Sequence, residues 1–239
     1  TLTENSGDPA TIAQGSSSVE TPVESPLVVD FICVKWGTRY SSDYVNRLFR
    51  GVSRNYPYQF RFSCLTEDPA GLLPEIRRLN SSTALPGWWS TALVFSQKDL
   101  HPLSVYIDLD VVITGDLSFL RDYRGLFAVM GTDGIACEQA NKEGYNTSLV
   151  VFRPELFGLL GDQLVEVYSA LTKTVARFDF WTEMVVKNAD IVDRIWPGKV
   201  VDFLGACKNG LPKDASIVVF PRNPKPHDCQ EEWVKQHWV

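Results

Sequence analysis

After residue 26 the chain alternates between short apolar runs and stretches in which apolar residues recur every three or four positions. The first apolar run, residues 27–34, is short, rich in β-branched side chains and followed by the turn-former Gly37, which predicts a buried strand. Residues 41–43 are good helix N-caps and Tyr56-Pro57 is a stop signal, so a helix is expected between them. Its buried face is predicted to carry Tyr44, Leu48 and Val52.

The remaining pattern predicts an α/β domain. Further strands are predicted at residues 60–65, 76–79, 104–107, 111–113, 126–130, 147–152 and 217–220. A long helix is expected from Pro154, and a second helix at residues 181–188. The buried side of the long helix is predicted to contain Leu156, Leu159, Leu160, Leu164 and Val167. Because strands alternate with helices, we expect a mixed, mostly parallel sheet flanked by helices.

Composition divides the chain into a tail and one domain. Residues 1–26 are rich in Ser, Thr, Pro, Glu and Gly and poor in large apolar side chains, which predicts a disordered tail or linker. Residues 27–239 are expected to form a single domain, since a 239-residue chain with 44% hydrophobic residues can bury one large core. A polar, Pro-rich segment is expected after the last strand, ending in Trp233 and Trp238.

Charge and cysteine usage exclude some classes of function. The formal net charge of -6 argues against a nucleic-acid surface, which needs clustered Lys and Arg. The five cysteines include no C-x-x-C pair, so we expect reduced core thiols, which favours a cytoplasmic location. We expect no membrane span in this chain, because its apolar runs fall short of roughly 20 residues. An upstream signal or anchor stays open, because the chain starts without Met.

Two aspartates, Asp108 and Asp110, directly follow the predicted strand at residues 104–107. At the carboxyl edge of a parallel sheet both can face the crevice in which α/β proteins bind ligands. Mg²⁺ and Mn²⁺ are commonly held by one or two carboxylates together with substrate phosphates. Although D-x-D triplets are common by chance, the preceding apolar strand favours a metal site here. The ion would stabilise charge on a departing phosphate.

Carboxylates at strand ends also occur in metal-dependent phosphohydrolases and nucleotidyltransferases, which generally assemble more acidic ligands. Near the acidic pair we find Asp116 and Asp133 as further candidates, and both are expected to be solvated loop acids. Two metal ions per chain in the presence of nucleotide would favour this class.

A series of short motifs runs through the chain in a fixed order. They are residues 33–40 (CVKWGTRY), 44–46 (YVN), 64–69 (CLTEDP), 86–89 (PGWW), 106–115 (YIDLDVVITG), 145–148 (YNTS), 210–212 (GLP) and 224–227 (PKPH). Together they resemble the GT-A glycosyltransferases, in particular a mainly bacterial, uncharacterised group of family-8-like enzymes. The resemblance implies a GT-A (nucleotide-diphospho-sugar transferase) fold. It also implies transfer of a sugar from a nucleotide-diphosphate donor, typically a UDP-sugar, to an acceptor that is a glycan, a protein or a small molecule.

The resemblance also implies which residues bind the donor and an ion. The loop after the first strand would receive the base and ribose, and Lys225 would neutralise the leaving diphosphate, while Lys35 or Arg39 could offset phosphate charge. The implied donor-binding set is Val34, Lys35, Trp36, Gly37, Thr38, Tyr40, Asn46, Trp88, Trp89, Asp108, Leu109, Asn146, Ser148 and Lys225. The implied ligands of Mn²⁺ or Mg²⁺ are Asp108, Asp110 and, as a substitute ligand, His227. The implied catalytic residues are Asp108, Asp110 and Asp179.

Several of these residues also have a purely structural interpretation. Trp36 and Tyr40 can be packing residues, and the pair Trp88-Trp89 can cap the core. Asn146 and Ser148 can belong to a polar turn before a strand. Retention of anomeric configuration is implied by the resemblance, but no residue establishes it, and no general base stands out.

Three positions depart from the pattern of the similar enzymes. Ser90-Thr91 stands where Asn-Lys usually follows the two Trp, Phe180 replaces the Gln of a Gly-Asp-Gln motif, and Pro221 stands near the place of a metal-binding His. These departures support an alternative, a catalytically inactive glycosyltransferase-fold module that binds a sugar nucleotide or a protein partner. The retained acidic pair favours the enzyme.

Overall fold

The computed structural model describes residues 27–80, 83–133, 135 and 143–239, and the side chain of Leu159 is not described. The predicted tail, residues 1–26, and Cys137 therefore lie outside the described residues. Within the described part, the chain forms ten strands and eight α-helices, and the strands make two sheets.

The elements follow one another in an α/β order. The strands are β1 (Val29–Lys35), β2 (Phe60–Thr66), β3 (Arg77–Leu79), β4 (Leu103–Ile107), β5 (Val111–Ile113), β6 (Phe127–Gly131), β7 (Tyr145–Phe152), β8 (Asp190–Ile191), β9 (Val200–Asp202) and β10 (Ile217–Val219). The helices are α1 (Ser42–Asn55), α2 (Ala92–Phe95), α3 (Ser118–Arg121), α4 (Pro154–Leu171), α5 (Phe178–Val185), α6 (Val192–Ile195), α7 (Phe203–Ala206) and α8 (Glu232–His237). A short 3₁₀ helix, Gly87–Thr91, precedes α2.

The larger sheet has the strand order β3-β2-β1-β4-β7-β6-β8. β3, β2, β1 and β4 run parallel, whereas β7 is antiparallel to both of its neighbours, β4 and β6. The smaller sheet places β10 between β5, to which it is antiparallel, and β9, to which it is parallel. The predicted fold class, a mixed and mostly parallel sheet flanked by helices, is confirmed.

Both faces of the large sheet are covered, which explains why β1 is buried along its whole length. On one face Phe31 belongs to a core that includes Leu48 of α1, and on the other Ile32 belongs to a core that includes Phe95 of α2. The predicted buried face of α1 is confirmed, since Tyr44, Leu48 and Val52 are all buried. In a strand that is buried on both faces, most side chains are apolar, as they are in residues 27–34 apart from Asp30.

A buried ion pair secures the start of this sheet. Asp30 of β1 is fully buried, and Arg61 of β2 donates two hydrogen bonds to it, at 2.5 and 2.8 Å. The backbone N–H of His101, just before β4, donates a third at 2.5 Å. Because three neighbouring strands meet at this one carboxylate, the pair fixes their relative positions.

Helix α4 packs on α2 with a buried side that differs from the prediction. Leu160 and Leu164 are buried as expected, but Leu156 is 52% and Val167 is 40% exposed. The buried side is rotated toward Phe157, Val165 and Tyr168, which pack against the core beside α2. Gly161 lies against α2, where the absence of a side chain lets the helix approach the Ala92 carbonyl closely.

Other element boundaries also differ from the sequence prediction. The second predicted helix begins at Phe178, three residues before the expected start, and ends at Val185. The C-terminal region contains β9 and α8 in addition to the expected strand β10, so the predicted polar segment is partly helical. In α8 the side chain of Val234 is buried. Short elements such as these are determined by tertiary packing more than by local pattern.

The described cysteines are Cys33, Cys64, Cys207 and Cys229, and all are buried thiols without a disulfide. Burial raises the pKa of the Cys33 thiol well above its usual range, which keeps it protonated. Within the described part of the chain, we find no helix whose length and apolar character would allow it to cross a membrane.

Candidate functional site

A cavity of about 320 Å³ opens at the edge of the large sheet where β1 and β4 end and β7 begins. The carboxyl ends of β1 and β4 meet at this edge because the two strands are parallel. β7 starts there because it is antiparallel to β4, with Ile107 paired to Leu149. The predicted residues that line the cavity are Val34, Trp36, Tyr40, Trp88, Asp108, Leu109, Asp110, Asn146, Ser148, Asp179 and Lys225.

Asp108 is held at the floor of the cavity by a chain of hydroxyl groups. Its backbone N–H donates to the Ser148 carbonyl at 2.9 Å, which ties the end of β4 to the start of β7. The Tyr106 hydroxyl donates to Asp108 Oδ1 at 2.5 Å and lies 3.1 Å from the Thr91 hydroxyl. Thr91 is one of the departures from the expected pattern. Its hydroxyl contacts Tyr106, which in turn holds Asp108.

Burial and, to a lesser extent, the nearby charge of Asp110 raise the pKa of Asp108 to about 7, against the opposite effect of the hydrogen bond from Tyr106. Two carboxylates this close cannot easily both be ionised in a partly buried site. Asp108 is therefore partly protonated near neutral pH, and a cation or a hydrogen-bond donor placed beside it would favour its ionised form.

Asp110 already has a cationic partner. Lys225 Nζ donates to Asp110 Oδ2 at 2.6 Å and to the Phe220 carbonyl at 2.5 Å, and the lysine is buried. The Tyr40 hydroxyl donates to the same carboxylate oxygen at 3.0 Å. Burial and the charge of Asp110 raise the pKa of Tyr40, so this hydroxyl remains a donor. The C-terminal segment thus contacts Asp110 through Lys225 and through the Phe220 N–H, which donates to the Asp110 carbonyl at 3.0 Å.

His227, the predicted substitute metal ligand, is not among the residues that line the cavity, and its described contacts are with Tyr44 and Asp228. Its Nδ1 contacts the Tyr44 hydroxyl, and its Nε2 is 3.2 Å from Asp228 Oδ2. The Tyr40 and Tyr44 rings pack at 4.5 Å between centroids. The structure therefore places two tyrosines beside the histidine and does not include it in the cavity lining.

Asp179 reaches the cavity from the first turn of α5. Its Oδ1 accepts hydrogen bonds from the backbone N–H and the hydroxyl of Thr147, at 2.9 and 2.6 Å. Burial raises the pKa of Asp179, while these two hydrogen bonds lower it. Asn146 Oδ1 accepts a bond from the Ser148 N–H at 3.0 Å, so both residues form a polar turn and also line the cavity.

The mouth of the cavity carries exposed aromatic surface. Trp36 and Trp88 both line it, and Trp88 is 53% exposed. Gly87, with a φ of 64°, occupies a backbone conformation that favours glycine, and the Trp36 ring lies beside it. Trp89 is buried instead and packs edge-to-face on Tyr168. The two adjacent tryptophans therefore divide into one exposed ring and one core ring.

The other residues of the predicted donor-binding set lie outside the cavity lining. Lys35 Nζ contacts the Asp68 carbonyl at 3.4 Å, and the Gly37 N–H donates to Glu67 at 2.5 Å. The Asn46 amide donates to the Gly71 carbonyl at 2.8 Å, which holds the turn after β2. Thr38 is exposed on the loop after β1. These contacts connect neighbouring loops.

The structure adds cavity residues that the motif comparison did not assign a role: Thr91, Tyr106, Thr147, Arg177, Phe178 and Pro221. A signal for Tyr106 exists in the sequence, because residues two apart in a strand share a side, and Asp108 follows it by two. Arg177 has no comparable signal, since its place depends on how α5 docks against β7. Arg39, considered above as a phosphate partner, also lines the cavity.

A second cavity of about 570 Å³ adjoins the first. The two share Arg39, Asn146, Arg177, Asp179, Pro221 and Lys225 in their linings. The second cavity extends past Tyr145 and Glu183, and the Tyr145 N–H donates to Glu183 Oε1 at 2.8 Å. One continuous groove therefore offers room for two ligands side by side.

The arrangement does not fit an ion held by protein ligands alone. Across residues 27–80, 83–133, 135 and 143–239, no cluster of three or more His, Cys, Asp or Glu side chains is placed to hold a metal. An oxygen of Asp110 is bound by Lys225, and one of Asp108 by Tyr106. Mg²⁺ needs near-octahedral oxygen coordination, so substrate and water would have to complete its shell.

Comparisons with known proteins agree on the fold. No protein-family model and no curated protein matches the sequence. Among solved structures, the glycosyltransferase GlyE of Streptococcus pneumoniae TIGR4 superposes with a TM-score of 0.61 at 12% identity. That match covers 90% of this chain and 62% of GlyE, so this chain spans less than two thirds of GlyE.

Two further structures extend the comparison. The galactosyltransferase LgtC, in complex with donor and acceptor sugar analogues, gives a TM-score of 0.60 at 11% identity, covering 87% of this chain and 93% of that chain. The bifunctional glycosyltransferase WbbM gives 0.57 at 12% identity, covering 86% and 48%. The chain therefore has the fold of the GT-A glycosyltransferases.

Proposed function

We propose that this chain is a glycosyltransferase that moves a sugar from a nucleotide-diphosphate donor of the UDP-sugar class to an acceptor hydroxyl. The observation that carries the proposal is the acidic pair, Asp108 and Asp110, at the floor of an open cavity in a GT-A fold. Each carboxylate is held by a tyrosine, at 2.5 and 3.0 Å. Groups fixed in this way lose little energy to reorganisation when charge develops nearby.

The two adjoining cavities suit two substrates. The first is rimmed by Trp36 and Trp88, whose faces can stack on a base or a sugar, and it contains Lys225, which can neutralise a leaving diphosphate. The second leads away from the acidic pair and would take the acceptor. Asp179 lines both cavities, so its carboxylate would lie between the donor sugar and the acceptor hydroxyl.

A turnover assay tests this proposal. The chain would be incubated with UDP-glucose, UDP-galactose and UDP-N-acetylglucosamine, each with Mn²⁺ and with EDTA, and UDP release would be measured. We expect release from at least one donor and a loss of about a hundredfold in Asp110→Asn, because removing one fixed electrostatic group commonly costs that much. Asp122→Asn, an exposed acid at the opposite sheet edge, is the matched control. Equal release from wild type and Asp110→Asn would remove the enzyme proposal.

The same assay separates the enzyme from a non-catalytic module. A module would bind UDP, with a rise in Tm, yet release none from any donor. Retention of configuration remains a prediction, and the anomeric proton of the product, followed by NMR, would decide it. The phosphohydrolase class would show two bound ions per chain when nucleotide is present.

A further inference from the structure

Three basic side chains converge on the cavity from different parts of the fold: Arg39, Arg177 and Lys225. Arg39 lies on the loop after β1, Arg177 directly precedes α5, and Lys225 belongs to the segment between β10 and α8. We refer to these three residues as the cationic clamp. All of them also line the second cavity, so they surround the boundary between the two.

The two arginines of the clamp are available to bind a ligand. Both side chains are exposed and line the cavity. Within the part of the chain that the structure describes, neither guanidinium has an ion-pair partner. Arg39 lies over the Tyr40 ring, 5.4 Å from its centroid, and the Tyr40 hydroxyl binds Asp110. Burial raises the pKa of Asp179, and the charge of Arg177 opposes this rise. Both positive charges are therefore close to the carboxylates of the site.

The lysine of the clamp already lies against the acidic pair. Lys225 Nζ is 2.6 Å from Asp110 Oδ2, so the lysine would compete with a divalent ion for this carboxylate. The lysine is buried, and its second hydrogen bond to the Phe220 carbonyl fixes the ammonium in that position. Pro221, which has no ligand atom in its side chain, lines the cavity beside it. A protein cation thus stands where the similar enzymes are expected to place a metal.

We propose that the cationic clamp, Arg39, Arg177 and Lys225, binds the donor diphosphate in this chain without a divalent ion. This inference rests on the proposed function, because it names the groups that hold the same donor. Guanidinium groups bind phosphate oxygens through two parallel hydrogen bonds, and an ammonium binds them as a point charge. Because Lys225 is paired with Asp110, the positive charge offered to a nucleoside diphosphate comes mainly from Arg39 and Arg177, and Lys225 adds ammonium N–H donors.

Removal of either arginine should weaken binding strongly. A hydrogen bond from a charged group contributes about 1.5–3 kcal/mol, which corresponds to roughly a tenfold to hundredfold change in affinity. Arg39→Gln and Arg177→Gln are suitable variants because both side chains are exposed and lack described ion-pair partners, so the fold should be unaffected. Arg124→Gln is the matched control, since Arg124 is exposed before β6, at the opposite edge of the sheet.

The experiment is isothermal titration of the whole chain with UDP and, separately, with inorganic pyrophosphate, in EDTA and in MnCl₂. We expect UDP to bind in EDTA with a Kd within about threefold of that in MnCl₂, and pyrophosphate to bind in EDTA as well. Arg39→Gln and Arg177→Gln should each raise the Kd in EDTA by about tenfold or more, while Arg124→Gln should leave it unchanged.

The other outcomes distinguish a failure of the cationic clamp from a failure of the proposed function. If UDP binds only when Mn²⁺ is present, or if the two cavity variants bind like Arg124→Gln, the clamp is refuted while the proposed function stands. If pyrophosphate binds in EDTA but UDP does not bind under either condition, the clamp is supported and the UDP-sugar proposal fails. If neither probe binds with or without Mn²⁺, both are overturned.

Discussion

Two glycines of α4 provide a test of how the helix packs. Both Gly158 and Gly161 face α2, but the space beside them differs. A Cβ atom on Gly161 would overlap the Ala92 carbonyl oxygen and the Ser96 hydroxyl, with the Ala92 carbonyl carbon at 3.2 Å. A Cβ atom on Gly158 would meet the Phe95 carbonyl oxygen at 3.7 Å, which is ordinary contact. The same substitution, glycine to alanine, should therefore have opposite effects.

The magnitudes follow from two competing terms. Alanine in place of glycine inside a helix stabilises by about 0.8–1 kcal/mol. At Gly158 this term acts alone, so Gly158→Ala should stabilise the fold by about 0.5–1 kcal/mol. At Gly161 an overpacking cost in the upper part of the usual range, about 2–3 kcal/mol, opposes it, because the overlap is with backbone atoms of Ala92, which cannot rotate away as a side chain could. Gly161→Ala should therefore destabilise by about 1–2 kcal/mol.

Thermal unfolding followed by circular dichroism is a suitable assay. For a chain of 239 residues, 1 kcal/mol corresponds to a shift in Tm of about 2–4 °C. We expect Gly158→Ala to raise Tm by about 1–4 °C and Gly161→Ala to lower it by about 2–8 °C. If both variants shift Tm in the same direction, the close approach of α4 to α2 is not as described.

Three further predictions concern buried charge and the cavity. Asp30→Ala should destabilise the fold by about 3 kcal/mol in urea unfolding, because it removes the fully buried acceptor of Arg61 and of the His101 N–H and leaves Arg61 only its contacts with Asp99, and an unchanged midpoint would contradict this. Asp108→Asn should raise Tm in EDTA at pH 8. In the folded protein the pKa of Asp108 is raised to about 7, mainly by burial, whereas in the unfolded chain it has its ordinary value near 4. The ionised carboxylate therefore destabilises the folded state at pH 7 and above, and this cost disappears as the pH falls toward 4. The gain in Tm should therefore shrink toward pH 4, and a gain independent of pH would refute the argument. Trp88→Ala should raise the KM for the donor several-fold without changing Tm, because this ring is 53% exposed, whereas Trp89→Ala should lower Tm.

The pattern of apolar residues is sufficient to predict an element that is long or that buries a continuous face. α1 lies between the predicted N-caps and Tyr56-Pro57, β1 and β4 begin and end within two residues of the predicted apolar runs, and the mostly parallel sheet follows from the alternation of strands with helices. β9 and α8 were missed because each is short and acquires its stability from packing. The rotated face of α4 was missed because it depends on how the helix packs on α2.

The candidate site divides in a similar way. Asp108 and Asp110 were predictable because a local motif and the preceding strand place them at the sheet edge. The contact between Lys225 and Asp110 joins residues 115 positions apart, and no local pattern encodes it. The contact between Thr91 and Tyr106 could not be predicted either. In the sequence, a threonine at the position of the expected lysine indicates only a missing cation, and its contact with the Tyr106 hydroxyl is evident only from the structure.

The reversed direction of β7 places the beginning of a strand at the cavity, beside the ends of β1 and β4. Residues at the start of a strand can vary with the connection that precedes them, while the buried remainder, Ser148 to Phe152, keeps the sheet intact. Tyr145 and Asn146, the first two residues of β7, line the second cavity. Substitutions at these two positions would therefore reshape that cavity, while the pairing of Leu149 to Phe152 with β4 would keep the sheet and the acidic pair in place.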